Sequence, residues 1–250
     1  MNRIQIRPAT GSVELKASDL QPAKPSHRPT ITSNALPAKR AADHPTLFIP
    51  QYYEKHYRYP LIVWLHSHGA DASQMLRVMA KLSLRNYVGV AVHGLPARFD
   101  GHLCWPESSR EIALAAERVS NAIDYARSKT TIADHRIILA GQADGGTMAF
   151  RLAFAWPQVI AAAASFNGPL PVGQAPLSRW QNCRQIPLFW SHARYSADFS
   201  ETEMCEQLKL LHSAGFNLTL RQYPTSDELP AKSLRDANAW IMEMIETSVS

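Results

Sequence analysis

From Pro45 onward the apolar positions of the chain fall into two alternating kinds of segment. Short, nearly unbroken apolar runs occur at Pro60-Leu-Ile-Val-Trp-Leu65, Tyr87-Val-Gly-Val-Ala-Val92, Arg136-Ile-Ile-Leu-Ala140, Val159 to Phe166, Pro187-Leu-Phe-Trp-Ser191 and Asn217 to Tyr223. A run of this length without polar alternation suits a strand buried on both faces. Thr46–Ile49 predicts one further strand ahead of them. Between the runs lie longer segments with helical spacing. One carries Met75, Val78, Met79 and Leu82 behind Asp71, a candidate cap. Two open on capping-box patterns, Ser108-Ser-Arg-Glu111 and Ser200-Glu-Thr-Glu203, the second stopping at Gly215. An apolar helix runs from Gly146 to Trp156-Pro157, and Leu234, Trp240, Ile241, Met244 and Ile245 mark one face of a terminal helix. Strands alternating with helices are βαβ units, which predict an α/β fold with a mostly parallel central sheet and helices on both faces. Ligands of such sheets sit beyond the carboxyl ends of the strands. The loops after Leu65, Val92, Ala140, Phe166, Ser191 and Tyr223 are therefore where function is sought.

Residues 1–44 have a different character, with five prolines and few large apolar side chains. They read as a flexible N-terminal arm ahead of a single domain at 45–250. The arm also changes the meaning of the net charge of +5, since its seven Lys/Arg against three Asp/Glu account for +4 of it. The body is nearly neutral and has no basic stripe, so a nucleic-acid partner is not expected. No apolar run approaches the ~18 residues of a membrane span. Cys104, Cys183 and Cys205 are too few and too scattered for a disulfide framework. With no apolar leader at the N-terminus, the expected location is cytoplasmic.

The segment after Ala140 is the most informative one. A buried strand, then Gly141-Gln-Ala-Asp-Gly-Gly146, then an apolar helix form the frame of a nucleophile elbow, in which glycines permit a sharp turn close to neighbouring backbone. With Leu65-His-Ser-His-Gly69 upstream and the strand–loop–helix units downstream, residues 45–247 resemble the α/β-hydrolase fold, most of all its phospholipase/carboxylesterase branch. That resemblance implies a Ser-His-Asp triad and an oxyanion hole.

The chain departs from the pattern at each triad place. The elbow serine is Ala143, and a methyl group cannot attack a carbonyl. The acid, which follows a His-Gly-x-x-Asp pattern in the family, falls on Ser196 of His192-Ala-Arg-Tyr-Ser196, with Asp198 two residues on. The base falls on Asp227 of Thr225-Ser-Asp-Glu-Leu229, and the only histidine beyond residue 192 is His212, inside the preceding helix. On the oxyanion side, His66 fits the family histidine with Ser67 replacing a glycine, or else the His68-Gly69 pair has slipped by two. The residue after the elbow position is Asp144, whose charge opposes a developing oxyanion and also suits the first turn of a helix.

Other chemistry finds less support in the residues. Asp144 is one place late for an aspartate nucleophile. Cys104 and Trp105, in His102-Leu-Cys-Trp-Pro106, are candidate pocket residues. His66 and His68, two apart, would share a face if the strand continued, and with His93 and Asp71 they offer metal-ligand types, but the resemblance implies a structural histidine at that strand end; no phosphate loop or dinucleotide motif is present. No cofactor or metal is expected. Two readings follow from the resemblance: a catalytically degenerate pseudo-hydrolase that keeps its pocket for a small ligand or a protein partner, as monomer or dimer, or a hydrolase of esters, thioesters or lactones that uses relocated groups other than serine.

Overall fold

The computed structural model of the protein describes residues 44–97, 99–178, 180–226 and 228–247. The chain runs β1 (Thr46–Phe48), β2 (Tyr59–Leu65), α1 (Gln74–Leu82), β3 (Val88–Ala91), β4 (Leu95–Pro96), β5 (Leu103–Cys104), α2 (Ser109–Lys129), β6 (Ile132–Gln142), α3 (Asp144–Ala155), β7 (Ala162–Phe166), α4 (Trp180–Cys183), β8 (Leu188–Ala193), α5 (Glu201–Ser213), β9 (Leu218–Tyr223) and α6 (Ala231–Thr247). Residues 1–43 of the expected arm lie outside the described residues, as does Asp227.

Seven strands form one sheet in the order β1-β3-β2-β6-β7-β8-β9. Every pairing is parallel except that of β1 with β3. The unbroken apolar runs are explained by two-sided burial. Leu61, Val63 and Leu65 of β2 face a core built with α2, α3 and α5. Ile62 and Trp64 of the same strand face a second core built with α1 and α6. All seven residues of β2 are buried, so no polar position is tolerated on either face.

The two capping boxes form as the sequence predicts. Ser108 accepts a hydrogen bond from the Glu111 N–H, and Ser200 accepts one from the Glu203 N–H. Gly215, at φ +72°, ends the turn after α5 where a side chain would be strained.

Four expectations need correction. Asp71 does not cap α1; Ser73 precedes the helix, and the Asp71 carboxylate accepts from the Ser73 N–H at 2.8 Å in a local turn. Such a turn uses up the carboxylate before the helix starts. The strand placed at Val159–Phe166 begins at Ala162, because Val159 and Ile160 donate N–H groups to the Trp156 carbonyl and form a turn after the preceding helix instead. The antiparallel β4–β5 hairpin, too short to show periodicity, was not expected. Neither was α4, a single helical turn at Trp180–Cys183.

Candidate functional site

The turn between β6 and α3 sets the geometry of the site. Ala143 sits at φ 50° and ψ −123°, a backbone state that costs an L-residue about 1–2 kcal/mol. Neighbouring hydrogen bonds hold it there: its N–H donates to the Phe166 carbonyl at 2.9 Å, and its carbonyl accepts from Thr147 at 3.0 Å. The turn also packs backbone on backbone. A Cβ on Gly145 would lie 2.3 Å from the Leu65 carbonyl oxygen and 2.4 Å from that of His66, so only glycine fits. Gly145 is thus required by the approach of α3 to the end of β2, and Gly146 by its approach to β7, where a Cβ would lie 2.5 Å from the Ser165 hydroxyl.

In the loop after β2, His66 turns inward, while His68 stands at the surface. His66 is fully buried. Its Nε2 accepts the Gly94 N–H at 2.8 Å, and its Nδ1 lies 2.8 Å from the Ser67 carbonyl. Burial lowers its pKa, opposed by the Ser67 carbonyl. Both ring nitrogens are engaged, so His66 is a structural pin between the β2 loop and the β4–β5 region. Ser67 is equally tied: its hydroxyl accepts from the Gln74 amide at 2.9 Å, and its N–H donates to Gln74 at 3.2 Å. Gln74 also accepts from the Trp64 indole and donates to Gln142, on the strand that leads into the turn. This buried amide network joins β2, α1 and β6 beneath the site. The sequence carried no signal for it beyond a polar residue on the apolar face of α1.

His68 is exposed at the rim, its Nε2 3.4 Å from Asp100 of the β4–β5 hairpin. The His102 N–H, and then the charges of His102 and His68, hold the Asp100 carboxyl below its ordinary pKa. Cys104 is buried, and burial with nearby Asp144 pushes its thiol up, away from the thiolate form. Trp105 donates its indole N–H to the His66 carbonyl at 2.8 Å.

Asp144 opens α3, and its side chain turns back onto backbone donors. Oδ2 accepts from the Trp105 N–H at 2.9 Å, and Oδ1 accepts from its neighbour Gly145 at 3.0 Å. Burial raises its pKa, opposed by the Trp105 and Gly145 N–H groups and then by His68.

The loop after β8 contributes no acid at its expected place. Ser196 Oγ accepts from the Asn167 side chain at 3.0 Å and from the Phe199 N–H at 3.1 Å. Asn167 in turn accepts the Ala193 N–H. His192 is buried with Nε2 3.0 Å from the Phe199 carbonyl. The space between Gln142, Asn167, Ala193 and Thr225 amounts to only about 10 Å³, too little for a ligand.

On its open side the turn faces a cleft of about 400 Å³, within the usual range for small-molecule sites. His68, Trp105, Ala143, Asp144 and Asp198 all line it. His66, Ser67, Cys104 and Ser196 do not. The apolar wall is Pro169, Leu170, Val172 and Phe199. That wall is anchored by Arg151 of α3, which donates to Glu107 at 2.7 Å, to Gly173 at 3.1 Å and to the Val172 carbonyl. Gln74, Asn167, Glu107 and Arg151 were missed in the sequence because nothing local marks a polar residue whose partner lies on another element. Among the described residues, no group of three or more His, Cys, Asp or Glu is placed to hold a metal ion. No described helix is long and apolar enough to cross a membrane.

A mostly parallel sheet of this order, with a strained strand–turn–helix at its centre and a cleft over the strand ends, is an α/β-hydrolase fold. Residues 54–245 match the model of the phospholipase/carboxylesterase family, and the chain belongs to it. It is similar to solved structures of the acyl-protein thioesterase 2 of Zea mays (TM-score 0.67, 16% identity, 80% of this chain and 98% of that one). The same holds for SOBER1 of Arabidopsis thaliana (TM-score 0.65, 16% identity, 76% and 100%) and for the Bacillus cereus carboxylesterase (TM-score 0.64, 15% identity, 80% and 93%). At such identities the likeness is one of fold.

Proposed function

We propose that this member of the phospholipase/carboxylesterase family does not use the Ser-His-Asp route and that its cleft binds a ligand instead. In this reading Ala143 stands at the nucleophile's place, Ser196 at the acid's and Asp227 at the base's. The observation that carries it is the turn itself: the strained backbone that presents a nucleophile is present, and the side chain it presents is a methyl group. A serine hydrolase acts through an activated hydroxyl at that point. The test is treatment with a fluorophosphonate probe, followed by mass mapping. No stoichiometric labelling is expected. Stoichiometric labelling of any serine would overturn the reading.

A second reading, hydrolysis of an ester, thioester or lactone by relocated groups, has one observation in its favour. His68 and Asp100 form an imidazole–carboxylate pair beside the cleft. Loss of slow wild-type hydrolysis of a nitrophenyl ester in His68→Gln would support it.

A further inference from the structure

The backbone donors around the elbow are already in use, and what uses them is the chain's own carboxylate. In an acyl-transfer enzyme, N–H groups at the elbow await the oxygen that gains charge. Here the Trp105 and Gly145 N–H groups point at Asp144, and the His68 N–H adds a weaker pull on the same group. An anion entering the cleft would find those hydrogens committed and a negative charge among them. His68 is the side chain of the described lining that can carry positive charge, and it lies 3.4 Å from Asp100. None of the described residues on the cleft wall is Lys or Arg, and Glu107 is answered by Arg151 while Asp198 and Glu203 stand on the same wall. Facing these groups is the apolar wall around Leu170 and Phe199.

We infer that Asp144 sets the charge of the ligand: the cleft takes a protonated amine carried on an apolar body and rejects carboxylates. This rests on the reading of the cleft as a binding site and adds to it a ligand class. An ammonium donates, so it matches the acceptor lone pairs that two backbone N–H groups leave free on a carboxylate. The apolar body removes surface from water against Leu170, Val172 and Phe199. A carboxylate ligand fails on both counts, since it brings acceptors to acceptors and like charge to like charge.

The experiment compares three probes of one length, hexylammonium, hexanoate and hexanol, by isothermal titration at pH 7. They are titrated into wild type and into Asp144→Asn, whose fold is checked by its urea midpoint. An alkylamine stays protonated there, as a lysine does at ~10.4. Wild type is expected to bind hexylammonium at least tenfold more tightly than hexanoate. Asp144→Asn is expected to reduce that ratio to about threefold or less. If Asp144→Asn does not fold, Asp144→Gln makes the same comparison. Equal affinity for the two charged probes, a preference for hexanoate, or a preference that survives the Asp144 substitution overturns the inference and leaves the binding cleft standing. Failure of all three probes, hexanol included, overturns the cleft reading and the inference with it.

Discussion

The turn after β6 and the loop after β8 reach the same end of the sheet from strands only two places apart, yet their side chains have opposite relations to their backbones. At the turn, the backbone is under tension for a task its side chain cannot perform: Ala143 holds φ 50° beneath an open cleft. In the loop, the side chains close on one another. Ser196 is shared between Asn167 and Phe199, and His192 is buried against a carbonyl. The turn is fixed by packing of main chain on main chain, which no single side chain can release. The loop adds to its backbone bonds, from the Arg194 and Tyr195 N–H groups to the Tyr223 and Thr225 carbonyls, side-chain hydrogen bonds that a substitution can replace. Under the proposed reading, the strained turn can persist whatever side chain it carries, while the loop after β8 tolerates a change of residue.

The strongest way to break that comparison is to put an atom where the turn allows none. Gly145→Ala sets a Cβ against two carbonyl oxygens, at 2.3 and 2.4 Å, that belong to the end of β2 and the residue after it. Neither can retreat without disturbing the centre of the sheet. Destabilisation of about 3 kcal/mol is expected, at the upper end for overpacking, read as a lowered urea midpoint. A loss under 1 kcal/mol would mean that α3 slides easily and that the turn is not fixed by packing.

A smaller effect is expected from restoring chemistry on top of the same turn. Ala143→Ser alone should change hydrolysis of a butyryl nitrophenyl ester less than threefold, since serine is a weak nucleophile without a base. The residues of a triad act as a unit, so one of them recovers almost nothing. Ala143→Ser with Asp227→His should give the first gain, about tenfold, limited by Ser196 in place of an acid and by Asp144 among the donors. An efficient single variant would point to a base elsewhere, and His68 would be the first to remove.

These effects also mark what the sequence made legible. The buried strands, both capping boxes and the elbow could be read because each is a local pattern whose cause lies within a few residues. The strand limits were less legible at Ala162, where Val159 and Ile160 hydrogen-bond back to Trp156. That His66 is buried while His68 is exposed was not legible at all, since the partner of the His66 ring is Gly94, 28 residues away. The Gln74 and Asn167 networks were hidden for the same reason, because a polar side chain does not announce a distant partner.

Below these comes the pH response of Asp144. Its folded pKa is raised by burial above the ordinary carboxylate value. An acid raised in the folded state binds its proton more readily there than when unfolded. Relative to Asp144→Asn, wild type should therefore be most stable below the unfolded value near ~3.9, lose stability as pH rises from there through the raised folded value, and be flat above it. Urea midpoints of both proteins from pH 3 to 8 measure this. A difference that grows with pH in wild type's favour would show that the Trp105 and Gly145 hydrogen bonds outweigh burial.

The smallest effect tests the strain itself. Ala143→Gly removes the Cβ that makes φ 50° costly, and that cost is about 1–2 kcal/mol for an L-residue. Against it stands the freedom glycine gains in the unfolded chain, about 0.5–1 kcal/mol relative to alanine. The first term exceeds the second, so the substitution should stabilise the protein by roughly 0.5–1 kcal/mol. Ordinary positions behave the other way, since Ala→Gly in an unstrained helix or strand is destabilising. The control is Ala155→Gly near the end of α3, where the sign should reverse. If both substitutions destabilise equally, Ala143 is unstrained, and the contrast between a tense turn and a relaxed loop loses its physical basis. If only Ala155→Gly destabilises, the chain carries at Ala143 a backbone strain that its own side chain does not use, held in place by the contact of Gly145 with the end of β2.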